Sequence, residues 1–125
     1  MDTAATIAQY VLAAFMLIAG LTKALRSKEQ LRASSPGMAW TEQFSERQIT
    51  LIGVAEVLGA LGLTLPRLTG VLPWLTPVAA LALAVTMLGA VVVHARRREL
   101  AWVVTPAVLL AGCLFVAWAR LSGAA

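Results

Sequence analysis

Apolar residues run along this chain in four long blocks, and the polar residues gather between the blocks rather than within them. An α-helix rises 1.5 Å per residue, so about 20 residues carry it across a hydrocarbon layer of about 30 Å. The pattern therefore predicts four transmembrane helices, from about Ala4 to Leu25, Ile49 to Leu65, Trp74 to Ala95 and Leu100 to Ala119. They occupy nearly the whole chain, which reads as one domain over residues 1–125, with the loop 26–48 as its only sizeable extramembrane segment. The expected fold class is an all-α four-helix transmembrane bundle. Pro66 is expected to stop the second span, and the breakers from Pro66 to Pro73 to make a tight link between antiparallel neighbours. Pro36 and Gly37 divide the long loop into an upstream half, Ser27 to Ala33, and a downstream half, Met38 to Ser45.

Composition supports a membrane protein. Of 125 residues, 60% are hydrophobic and 13% charged, with a mean hydropathy of +0.84. A soluble domain of this size buries only about two-thirds of the surface its unfolded chain exposes. Such a chain in water would be covered by apolar patches, so the lipid bilayer is its expected partner. Disorder is excluded by the apolar content. The single cysteine, Cys113, excludes a disulfide scaffold and a cysteine-based zinc site.

A net charge of +4 and a pI near 10.2 suggest nucleic acid until the basic residues are placed. With four spans, Lys23, Arg26, Lys28, Arg32, Arg47, Arg96, Arg97 and Arg98 fall on one side, and Arg67 and Arg120 on the other. That bias predicts a cytoplasmic loop 26–48, both termini on the non-cytoplasmic side, and residence in the cytoplasmic (inner) membrane. No nucleic-acid partner is expected. The first span follows Asp2 and precedes its positive charges, the reverse of a signal peptide, and reads as a retained anchor. Trp40, Trp74, Trp102 and Trp118 lie near span ends or in the loop, as interfacial indoles do.

Polar residues inside the spans carry the candidate chemistry. Glu56 lies about 10 Å into the second helix, where an ionised carboxylate costs several kcal/mol unless it is paired, protonated or wet. Its helical neighbours Gly53, Gly59 and Ala60 make a face of small residues that admits another helix. Lys23 shares a face with Gln9, Met16 and Gly20, and Gly20 gives it room. His94 follows Met87 and Ala90 on the third span. Lys23 and His94 are thus candidate counter-charges for Glu56 in the same half of the bilayer, with structural readings beside them: snorkelling for Lys23, an interfacial ring for His94, a register-setting carboxyl for Glu56. In the loop, Met38, Trp40 and Phe44 turn towards the membrane if the segment is helical, leaving Glu42 and Gln43 in water. Thr86, Thr105 and Cys113 are weaker candidates, Pro106 is a candidate kink, and Tyr10 an interface anchor.

Enzyme templates find little purchase. One His and one Cys supply neither a zinc site nor paired axial haem ligands, and C-x-x-C and a phosphate-cradling glycine loop are missing. No metal or covalent cofactor is implied, so cofactor chemistry would come from a diffusible ligand or another subunit.

Three segments resemble the DoxX-like family of small four-span membrane proteins: FMLIAGLTKAL closing the first span, MAWTEQFSERQITLIGVAEVLGALGLTLP through the second, and LAVTMLGAVVVHARRRE closing the third. The middle one, I-G-x-x-E-x-L-G-A-x-G-L-x-L-P, is the most specific. The resemblance covers about Ala13 to Arg98 and implies a four-helix bundle. It sets Gly20, Lys23, Trp40, Glu56, Gly59, Gly89 and His94 on positions typical of the pattern, with Gly89 expected to serve helix packing. Some relatives accompany quinone-linked sulfur oxidation or membrane oxidoreductases, and a distant animal relative assists receptor assembly, so the resemblance implies no single activity. The expected function is binding of a quinone- or lipid-like metabolite in a polar pocket formed by Glu56, Lys23 and His94 with Trp40 at its mouth, linked to membrane redox chemistry. The competing reading is a non-enzymatic accessory subunit or assembly factor, with a membrane-protein partner or a second copy of the chain beside it.

Overall fold

A computed structural model describes residues 2–122. The described chain is helical: α1 (Asp2–Leu25), α2 (Lys28–Ser34), a 3-10 segment (Pro36–Gln43), α3 (Glu46–Thr69), α4 (Leu75–Arg96) and α5 (Leu100–Leu121). Four of these, α1, α3, α4 and α5, are long and apolar enough to cross a membrane. They close a ring in which α1 packs on α3, α3 on α4, α4 on α5, and α5 on α1. The short α2 and the 3-10 segment lie between α1 and α3 in sequence, and we call that the loop end of the bundle. The opposite, hairpin end carries the turn between α3 and α4.

Large apolar side chains point outward on every long helix, among them Ile18, Leu58, Val85 and Val108, each at least 60% exposed. Such a surface suits lipid. Lipid tails are as apolar as leucine, so burial alone does not hold these helices together, and close packing of small residues contributes instead. Gly20 on α1 meets Gly53 on α3 so tightly that a Cβ built on either would lie 2.6 Å from the other's carbonyl oxygen. On the α3–α4 seam, Gly59 receives the Leu83 side chain, and Gly62 faces the Ala79 methyl, 2.6 Å from a Cβ built on the glycine. Ala60 is buried on the same helix.

Helix α3 does not stop at Pro66, as the sequence reading expects. It continues to Thr69 and ends at Gly70, whose φ of +72° is left-handed and whose N–H bonds the Pro66 carbonyl at 2.9 Å. A proline there removes the N–H that would have bonded the Gly62 carbonyl. Thr76 Oγ1, from the first turn of α4, donates to that carbonyl at 3.1 Å. The missing bond is thereby replaced across the helix seam, and the proline is tolerated inside the helix.

The loop end is built by two matching caps. Ser27 and Ser45 each accept from the backbone N–H three residues on, and Gln30 and Gln48 each return a bond to the serine N–H. These capping boxes start α2 and α3. Leu31, Trp40 and Ile49 form a small core beneath them, with Met38 and Phe44 packed against it and Glu42 and Gln43 exposed.

Candidate functional site

A cavity of about 520 Å³ opens among the four long helices in the half nearest the loop end. It falls within the roughly 300–1,000 Å³ typical of small-molecule sites. Its walls are mostly apolar: Phe15 and Met16 from α1, Ile52 from α3, Val85, Met87 and Val93 from α4, Pro106 and Leu109 from α5. Lys23, Trp40, Glu56 and His94 all line it. Phe15, Val85, Gly89 and Thr105 are exposed yet belong to its lining, so the cavity reaches the lipid-facing surface part-way along the helices. At the loop end, Gly37, Met38, Trp40 and Phe44 cover it, and Gly37 fits against the Trp102 indole, 2.6 Å from where a glycine Cβ would stand.

Glu56 is 1% exposed, and Lys23 Nζ meets its Oε1 at 2.7 Å. The Gly20–Gly53 contact, one turn from each, brings α1 and α3 close enough for this pair. Lys23 Nζ also stands 6.0 Å from the centre of the Trp40 ring, which meets Phe44 edge to face at 5.5 Å. The pair joins an ammonium with hydrogens to spare to a carboxylate, in a wall that is otherwise hydrocarbon. In such a setting a polar group gains strongly from a partner and loses strongly without one.

His94 lines the same cavity, but its ion-pair partner in the structure is not Glu56. Its Nδ1 lies 3.0 Å from Oε1 of Glu99, a residue the sequence reading passed over. The reason is the turn that ends α4. Arg98 takes the left-handed conformation at φ +57°, the Glu99 N–H bonds the His94 carbonyl at 2.9 Å, and the Arg98 N–H bonds the Ala95 carbonyl at 3.0 Å. This is a Schellman closure, which folds Glu99 back over the last turn of its own helix. Arg97 Nε adds a charge contact to Glu99 Oε2 at 3.2 Å, off the line of a hydrogen bond. Desolvation pushes the Glu99 carboxyl upward, but the His94 hydrogen bond and the charge contacts of Arg97 and His94 outweigh it and hold the group below the usual carboxylate value.

Gly89 also differs from expectation. No atom lies within 4 Å of a Cβ built on it, so it packs against no helix and instead leaves space at the cavity wall. Thr86 bonds the Ala82 carbonyl, and Cys113 is buried and unpaired. A second polar cluster, nearer the hairpin end, was not anticipated: Gln9 is fully buried, donates to the Leu63 carbonyl at 2.5 Å and accepts from Arg120 Nε at 2.8 Å, while Arg120 also reaches Thr6 at 3.1 Å. It ties α1 to α3 and α5. The signal available in sequence was a glutamine on the same inward face as Met16, Gly20 and Lys23.

These features define a small four-helix membrane protein with a largely apolar cavity whose wall carries the Lys23–Glu56 pair and His94. A sequence model of the DoxX-like family matches residues 7–116, and the chain belongs to that family. No curated protein and no solved structure matches it.

Proposed function

We propose that the cavity binds an amphiphile with an apolar tail and a compact polar head, a quinone- or lipid-like metabolite taken from the bilayer. The observation that carries this reading is the Lys23–Glu56 pair, nearly sealed from solvent yet lining a cavity with hydrocarbon walls. A carbonyl or hydroxyl head matches the ammonium and carboxylate, and the exposed lining residues suit passage of a tail from the lipid side. The clustering of Lys and Arg at the loop end favours a cytoplasmic placement of that end, in the inner membrane, with both termini outside.

The test is titration of the purified full chain in nanodiscs with decylubiquinone, read by tryptophan quenching. A Trp74→Phe, Trp118→Phe background leaves Trp40 and Trp102, the two indoles that line the cavity. The expected result is saturable quenching that weakens at least about tenfold in Glu56→Gln, the loss of about 1.4 kcal/mol of binding energy. Quenching that never saturates, or that is unchanged in Glu56→Gln, contradicts the reading. In that case, a protein captured with an empty bundle would favour an accessory subunit.

A further inference from the structure

His94 lines the cavity apart from the Lys23–Glu56 pair, and Glu99 holds its ring from behind the wall. A carboxylate only accepts hydrogen bonds, so Nδ1 of His94, at 3.0 Å from Glu99 Oε1, is the nitrogen that carries the proton. In a neutral ring the other nitrogen is then an acceptor. Among the described residues Nε2 has no hydrogen-bond partner and is not fully buried, and His94 lines the cavity. The orientation is held twice over, because the same two residues are joined by the Glu99 N–H to His94 carbonyl bond at 2.9 Å. The charged groups around this nitrogen are Glu99 and Arg97 in the turn, with Lys23 and Glu56 lining the same cavity from α1 and α3.

We infer that His94 Nε2 accepts a hydrogen bond from a hydroxyl on the head of the bound amphiphile, and that Glu99 is the positioning residue that fixes the ring for it. This rests on the proposed ligand cavity and gives it a preference for a phenol- or quinol-type head over an oxidised quinone. A fully oxidised quinone or an ether has no hydroxyl to give. Lys23 offers a donor and Glu56 a further acceptor on the same cavity wall.

The probes are 4-heptylphenol and its O-methyl ether, 4-heptylanisole, titrated by calorimetry into the full chain in nanodiscs. The phenol binds about tenfold more tightly than the ether, the size of one net hydrogen bond of about 1.4 kcal/mol. In His94→Phe and Glu99→Leu the preference falls to about twofold or less with affinity for the ether kept, and Glu99→Gln, which retains an acceptor, restores it. His94 is the single histidine of the chain. Histidine-labelled wild-type protein therefore gives an unambiguous 15N spectrum, with Nδ1 protonated, Nε2 unprotonated, and the Nε2 signal moved by the phenol but not by the ether. That spectrum decides the matter even if a variant fails to fold. Equal binding of the two probes, a preference that survives in His94→Phe, or a proton on Nε2 overturns the inference and leaves the cavity reading intact. Failure of both probes to bind overturns both.

Discussion

Each half of the Lys23–Glu56 pair is costly alone at this depth and far less so together. Removing one partner of a buried pair costs about 3–5 kcal/mol, largely because the other charge stays behind. Glu56→Gln is therefore expected to lower thermal stability in detergent by that order, and adding Lys23→Met to recover part of it. A double-mutant cycle on melting free energies measures the coupling, and a coupling near zero is the opposing result. The residue was legible in sequence because a carboxylate in an apolar run must find a partner, and Lys23 and His94 were the cations within reach. Which of them serves was not legible, because the left-handed turn at Arg98, an arginine where glycine is usual, hands His94 to Glu99 instead. Glu99 carries its own pH signature. Its carboxyl titrates lower when folded than unfolded, so its contribution is present above the ordinary carboxylate range and fades as pH falls through its folded value. The melting difference between wild type and Glu99→Gln should hold at neutral pH and shrink below about pH 4.

Between helices, glycines do two opposite jobs. Gly20 and Gly53 let two backbones touch, whereas Gly89 faces open space. Gly20→Ala would push a methyl to 2.6 Å from the Gly53 carbonyl oxygen and 2.9 Å from the Val57 nitrogen, both backbone atoms. Such overpacking costs about 1–3 kcal/mol. Gly89→Ala meets nothing and removes a flexible residue from a helix interior, a gain of up to about 1 kcal/mol. Melting curves of the two variants should move in opposite directions, and a shared direction would refute the distinction. Neither helical spacing, which marked Gly53, nor the family resemblance, which marked Gly89, says what lies opposite a glycine, which is why the two read alike beforehand. The same limit applies to Pro66: proline as a helix stop is a local rule, and Thr76 overrides it from the next helix.

Four long apolar blocks made the bundle and its membrane setting readable before any coordinate, since length and hydropathy alone decide both. A pocket near Glu56, Lys23, His94 and Trp40 was expected, but its hydrocarbon walls and its opening towards the lipid side were not readable, because they arise from four helices and a 3-10 segment that lie far apart in sequence. The charge asymmetry predicts that the loop end faces the cytoplasm. Reporter fusions after Ala125 should be active only outside it, and activity confined to the cytoplasm would reverse the orientation.

The central claim, that the bundle encloses a ligand site, is tested most directly by native mass spectrometry of the full chain released gently from its own membranes. The account predicts a bound small molecule on the wild-type chain that is lost in Gly89→Trp, whose added side chain starts from open space at the cavity wall. A bare chain under conditions that preserve weakly held lipid, or a bound mass that persists unchanged in Gly89→Trp, would contradict it.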